Sequence, residues 1–211
     1  MPEILKISPK KPSKASILKA VRILRQGRIV AYPTETFYGL GVDVYNQEAI
    51  KIIFQIKGRD CNQPISIIIG STADLQDIVA DPPEIAGKLM EEFWPGPLTL
   101  VFKASRSVPA LLTAGTGKIG IRISSHPIAA AMAKTLCHPI TATSANLSGA
   151  KECTSASEVI QSIGDQVDMV IDGGTTPGLS GSTILDIAVS PPVILRDGMI
   201  PASRLHPFLY A

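Results

Sequence analysis

Two short polar stretches of the chain are equipped to hold phosphate oxygens. Lys57-Gly58-Arg59 closes an amphipathic segment, and Thr143 to Gly149 (Thr-Ser-Ala-Asn-Leu-Ser-Gly) follows a short apolar run much later. Lysine offers a mobile point charge, arginine a planar fork matched to phosphate or carboxylate. Residues at i and i+2 do not share a helix face. Lys57 and Arg59 therefore converge only where the chain leaves the helix, which Gly58 permits. The bland alternative is a helix C-terminus dressed with positive charge. In the second stretch Ser144 and Ser148 supply hydroxyls, Asn146 an amide, and Gly149 a close backbone approach. A strand followed by such a loop commonly binds anions, and the alternative is an ordinary turn rich in Ser and Asn. No glycine precedes Ser144 as a nucleophile elbow requires.

Three further groups could complete a site. Pro33 to Gly41 mixes Thr34, Glu35 and Thr36 with Phe37, Tyr38 and Leu40, so it either lines a pocket for a small amphipathic ligand or packs as an aromatic-anchored loop. Arg122 sits inside Ile119-Gly120-Ile121-Arg122-Ile123, and burying it requires a partner, an internal carboxylate or a bound one. Gly181-Ser182-Thr183 and Arg196-Asp197-Gly198 lie beside strands and can reach the same crevice. His126 alone reads as structural. Thr116-Gly117-Lys118 ends like a phosphate loop, but Ile119 follows and no glycine stands five residues before Gly117. No Cys/His pair has metal-ligand spacing.

Helices are predicted over 13–26, 46–57, 73–79, 83–93, 128–136 and 156–163, from apolar residues at helical spacing and from caps such as Asn46 and Gly27. Strands are predicted over 28–32, 64–69, 98–102, 119–123, 140–143, 169–171, 182–187 and 193–195. The run from Pro64 to Ile69 reads as a strand buried on both faces. This alternation predicts one α/β domain, a twisted mixed parallel/antiparallel sheet flanked by helices, over residues 13–200. Residues 1–12 read as a flexible basic segment and 201–211 as a tail. In open α/β sheets, ligands bind at the strand ends.

The 211 residues include 45% hydrophobic ones and carry a net charge of +2, which argues against a protein built mainly to coat nucleic acid. Aromatic residues make up 5%, too few for stacking-based RNA binding. Cys61, Cys137 and Cys153 are odd in number and widely spaced, so reduced thiols in a cytoplasmic protein are expected. No secretory h-region and no membrane-length apolar run is present.

Taken in order, Pro33 to Gly41, Lys57-Gly58-Arg59, Ile121-Arg122 with His126-Pro127, Ser144 to Gly149, Ser182-Thr183 and Arg196-Asp197-Gly198 resemble the YrdC-like threonylcarbamoyl-AMP synthase family, over roughly residues 13–198. The resemblance implies a single α/β domain with a large concave basic cavity. It implies synthesis of L-threonylcarbamoyl adenylate and pyrophosphate from L-threonine, bicarbonate and ATP with Mg²⁺. The product would serve downstream enzymes that modify an adenosine of tRNA. Lys57, Arg59, Ser144 and Asn146 match the family signature for the ATP phosphates, and Gln63, Lys118 and Arg196 match further nucleotide positions. Thr36, Arg122, Ala142 and Ser182 match threonine positions, with Arg122 the natural clamp for its carboxylate. No direct side-chain ligand to the metal is implied. One departure is Ile68, which stands where some members carry a histidine that contacts threonine. The rival readings are a module that binds tRNA or double-stranded RNA without adenylation, and a carbamoyl-transfer module like that of hydrogenase maturation factors.

Overall fold

The computed structural model describes residues 1–58 and 63–209. Arg59 and Cys61 therefore lie outside the described residues. In chain order the elements begin with β1 (Glu3–Lys6), α1 (Lys14–Arg25), β2 (Val30–Pro33), β3 (Tyr38–Gly41), α2 (Gln47–Lys57) and β4 (Ile67–Ile68). Next come α3 (Leu75–Ile78), α4 (Ile85–Phe93), β5 (Leu98–Lys103), α5 (Ala110–Thr113), β6 (Lys118–Arg122) and α6 (Pro127–Leu136). The last are β7 (Ile140–Thr141), β8 (Thr143–Ser144), α7 (Ala156–Ile163), β9 (Met169–Asp172), β10 (Thr183–Asp186), β11 (Val193–Arg196) and α8 (Ala202–Leu209).

The helices that flank the site begin on side-chain caps. Asn46 accepts the Ala49 N–H at 3.0 Å and so opens α2. At the other end Gly58 takes φ +55°, a left-handed conformation that favours glycine, and stops the helix directly after Lys57. Ser155 caps α7 by accepting the Glu158 N–H at 3.3 Å.

Among the described residues the strands form two hydrogen-bonded sheets rather than one. The first has the order β1-β9-β2-β3-β8 and the second β11-β10-β5-β6-β4-β7. Both mix parallel and antiparallel pairs: β2 runs parallel to β9 and antiparallel to β3, and β5 runs parallel to β10 and antiparallel to β6. The α/β class and mixed pairing agree with the sequence reading. One large apolar cluster lies under α2, α4 and α7, and a smaller one is built from α1, α6 and strands β2 and β9.

Four expectations need correction. Glu3–Lys6, expected to be flexible, pairs in parallel with β9 from Glu3↔Met169 to Lys6↔Asp172. The predicted tail contains α8, whose Leu205 is fully buried. Of the predicted strand 64–69 only Ile67–Ile68 enters a ladder. The predicted strand 140–143 is two strands, β7 in the second sheet and β8 in the first. The chain changes sheets at Ala142, whose N–H donates to Ser66 O at 2.8 Å.

Thr141 stitches this crossing. Its hydroxyl donates to Leu40 O at 2.9 Å and accepts the Val42 N–H at 3.1 Å, and its carbonyl accepts the Tyr32 hydroxyl at 2.7 Å. Burial of Tyr32 pushes its phenol well above the ordinary value, so it remains a donor. Thr141→Val keeps the shape and removes the hydroxyl, so Val42 N–H loses its acceptor in the core and Leu40 C=O loses one donor. The expected loss is about 1–3 kcal/mol. Denaturant unfolding of the two proteins measures it, with unchanged slope.

No helix among the described residues is long and apolar enough to cross a membrane.

Candidate active site

A cavity of about 660 Å³ opens where the two sheets meet. The first sheet contributes Tyr38 and Gly39 of β3 with Thr143 and Ser144 of β8. The second contributes Thr99 of β5, Arg122 of β6, Ile184 of β10 and Arg196 of β11. Among the described residues its charged lining consists of Lys57, Arg122, Lys151, Glu152 and Arg196. That volume suits a ligand of drug or nucleotide size.

One end is built around Lys57, only 4% exposed as the last residue of α2. A buried ammonium requires partners. Its Nζ donates to Ser144 O at 2.8 Å, Asn146 Oδ1 at 2.8 Å and Ser144 Oγ at 3.2 Å. The Ser144 hydroxyl donates to Asn146 Oδ1 at 2.7 Å, and Asn146 Nδ2 donates to Ala150 O at 2.6 Å. The backbone closes the unit, since Ser148 N–H donates to Lys57 O at 3.1 Å. The two polar stretches that the sequence separates by more than eighty residues are thus one hydrogen-bonded block. Because each of its three N–H donors already has an acceptor among the described residues, Lys57 would act on an anion chiefly through its charge.

At the other end Arg122, 6% exposed, closes β6. Its partner is internal: Arg122 Nε lies 3.4 Å from Glu35 Oε1. Small hydroxyls surround this end. Thr34 Oγ1 accepts the Thr36 N–H at 3.1 Å and donates to Phe37 O at 2.7 Å. The Thr99 and Ser182 hydroxyls are 2.8 Å apart. Arg196 donates from Nη2 to Ser182 O at 2.7 Å and to Ser182 Oγ at 3.1 Å, and from Nε to Ser182 O at 3.1 Å. Loss of water around its guanidinium, and next the charge of Arg122, lower its pKa from the ordinary value. It stays protonated, and its charge adds to that of Arg122 on this side of the cavity. Gly198 lets the chain pass here: a Cβ would stand 2.5 Å from Gly181 O and Thr183 N.

Thr36, Lys57, Gln63, Arg122, Ala142, Ser144, Asn146, Ser182 and Arg196 all line the one cavity. Lys118 does not line it, and its ammonium is held by Asp186 Oδ2 at 2.7 Å. Ile68 is fully buried in the smaller apolar cluster, in register with Arg122 and outside the lining. Sequence reasoning missed Ser66, Thr99, Lys151 and Glu152. Ser66 and Thr99 are lone hydroxyls inside apolar runs, the signal that singled out Arg122. Lys151 and Glu152 carry no such signal.

His126 is structural, as expected, and caps α6 by accepting the Ile128 N–H on Nδ1 at 3.3 Å. Burial lowers its pKa below the ordinary value, while Glu35 pulls upward. The folded state holds the imidazole neutral, whereas the unfolded chain binds a proton near pH 6.5, roughly. Its contribution to stability is therefore complete above about pH 6.5 and falls away as the pH drops through the lowered native value. His126→Asn keeps a capping acceptor that does not titrate. Thermal unfolding of this variant should decline less steeply than wild type below about pH 6.5.

The molecule is an α/β domain with a two-ended polar crevice, the Lys57–Ser144–Asn146 block at one end and Arg122 and Arg196 at the other. Comparison with known proteins identifies the family. The family model Sua5_yciO_yrdC, described as "Telomere recombination", matches residues 22–198. The chain is 39% identical over 200 residues to the threonylcarbamoyl-AMP synthase of Pyrococcus abyssi, which covers 90% of this chain and 59% of that protein. It is 38% identical over 191 residues to the threonylcarbamoyl-AMP synthase of Bacillus subtilis, covering 90% and 55% respectively. The crystal structure of P. abyssi Sua5 complexed with L-threonine matches with a TM-score of 0.95 at 37% identity, over 98% of this chain and 61% of that one. The chain therefore spans somewhat more than half the length of these relatives. It belongs to the Sua5/YciO/YrdC family.

Proposed function

We propose that this chain is an L-threonylcarbamoyladenylate synthase, a nucleotidyltransferase of the cytoplasm. L-Threonine, bicarbonate and ATP would give threonylcarbamoyl-AMP, pyrophosphate and water. The observation that carries the reading is the meeting of the Lys57–Ser144–Asn146 block and Arg122 in one cavity. The threonine amine first takes up the carbon of bicarbonate as a carbamate. A carbamate oxygen then attacks the α-phosphorus, the bond to the β,γ-phosphates breaks, and pyrophosphate leaves with its electron pair. Positioning and charge stabilisation do most of the work in such displacements. Lys57 and Arg59 offset the phosphate charge, and Ser144 and Asn146 fix the Lys57 ammonium. Gln63 and Arg196 border the nucleotide, while Lys118, matched to a nucleotide position by the resemblance, is held by Asp186 outside the lining. Thr36, Ala142 and Ser182 frame the threonine, with Arg122 on its carboxylate.

Magnesium would arrive on the ATP phosphates, where it supplies charge neutralisation. The hard oxygens at the anion end, Ser144 Oγ and Asn146 Oδ1, already face Lys57 Nζ. Among the described residues no group of three His, Cys, Asp or Glu side chains could hold a metal. Enzymes that carry the threonylcarbamoyl group to tRNA would act next.

Pyrophosphate release from ATP tests the proposal, with each amino acid assayed with and without bicarbonate. Release that requires both threonine and bicarbonate is expected. Release with carbamoyl phosphate alone would point instead to carbamoyl transfer. RNA binding with a steep salt dependence and no ATP turnover would favour the RNA module.

A further inference from the structure

We infer that Glu35 is a positioning residue, which holds the Arg122 guanidinium so that its free edge faces the cavity. The inference rests on the reading above, in which Arg122 serves the threonine carboxylate. Glu35 is not part of the cavity lining; it stands behind Arg122. The two side chains are 10% and 7% exposed. Glu35 is tethered from the far side, where its Oε2 accepts the Ser124 hydroxyl. Ser124 Oγ also accepts the His126 N–H at 3.1 Å, which ties the carboxylate to the start of α6. From the near side, the Thr34–Thr36–Phe37 hydrogen bonds hold the turn that carries Glu35.

Glu35 Oε1 and Arg122 Nε are both buried, and neither has a hydrogen-bond partner among the described residues. Such atoms are rare in native proteins and call for a reason. The reason fits the tether. Ser124 keeps Oε1 at ionic distance from Nε, so the carboxylate attracts one edge of the guanidinium without engaging the other. A second cation, Arg196, bears on Arg122. With the Glu35 charge removed, the guanidinium would lose its 3.4 Å ion-pair partner and its fixed edge.

Two effects oppose each other when that charge is lost. Arg122 becomes freer to attract a carboxylate, but its fork is no longer aimed. Orientation should dominate, because a misplacement of about 1 Å in a positioned group can cost about 10²-fold.

The test is Glu35→Gln, read by pyrophosphate release with threonine varied at saturating ATP and ATP varied at saturating threonine. The KM for threonine should rise about 10–100-fold, with the KM for ATP held within about 2-fold. Glu35→Asp retains the charge on a shorter arm and should recover part of the loss. A merely structural role would move both KM values together, and that result would overturn the inference. So would a folded Gln variant whose threonine KM is unchanged or lower. If the Gln variant does not fold, Ser124→Ala removes the tether together with the acceptor of the His126 N–H and should show the same split at smaller size; no split there overturns the inference as well. Failure of the functional reading is seen separately, as wild-type protein that never saturates with threonine.

Discussion

Lys57→Met is expected to slow threonine-dependent pyrophosphate release by about 10²–10³-fold, the range typical of removing one preorganised electrostatic group. Methionine matches the length and volume of lysine, so the end of α2 stays packed. What disappears is the charge and three N–H donors. Ser144 O, Ser144 Oγ and Asn146 Oδ1 lose the ammonium that they share. Asn146 keeps its bond to Ala150 O and the Ser144 hydroxyl still reaches Asn146, so the loop retains its shape. Unpaired acceptors should therefore lower stability by about 1–3 kcal/mol. The catalytic loss exceeds that in kind, because in the proposed reaction charge develops on the phosphates as pyrophosphate leaves, and Lys57 is one of the two cations proposed to offset it. Single-turnover rates with ATP in excess isolate the step. A variant with wild-type turnover would remove Lys57 from the phosphate end of the site.

The same block shows what was legible in the sequence. Lys57 and Asn146 could be picked out by type, and the cap Asn46 with the apolar spacing that follows it located the helix that delivers Lys57. Their union could not be read, because it depends on β8 leaving the sheet that β7 belongs to. In sequence, Ile140 to Ser144 is one β-branched, hydroxyl-rich run. The break at Ala142 arises because Ala142 N–H satisfies Ser66 O while Thr141 is engaged by Leu40 and Val42. Only tertiary partners decide that. The strand β1 was hidden for a related reason. Its residues are mostly exposed, and parallel pairing with β9, not apolar pattern, makes it a strand. The loop expected over residues 34–41 likewise contains β3, whose two glycines depress strand propensity while Tyr32 packs against them. The identity of the partner of Arg122 was undecided between an internal and a bound carboxylate. The cavity geometry allows both, with Glu35 behind and the open volume in front.

Arg122→Met is the second large effect, and it is twofold. Loss of the guanidinium should raise the threonine KM by about 100-fold, as expected for one bidentate, charge-assisted contact. It should also lower stability by about 3–5 kcal/mol, because Glu35 is left buried without its cation. These two consequences separate in the double variant. Glu35→Gln in the Arg122→Met background removes the uncompensated charge, so the pair should be more stable than Arg122→Met alone, a strong positive coupling between groups in contact. Threonine binding should not return with it, since nothing in the double variant replaces the fork. Paired measurement of unfolding free energy and threonine KM across the four proteins tests both parts. Additive stabilities would mean that the 3.4 Å contact carries no energy. A double variant that regains threonine affinity would mean that the carboxylate is recognised elsewhere in the cavity, most directly by Arg196, whose Nη2 already reaches Ser182 Oγ on the same wall.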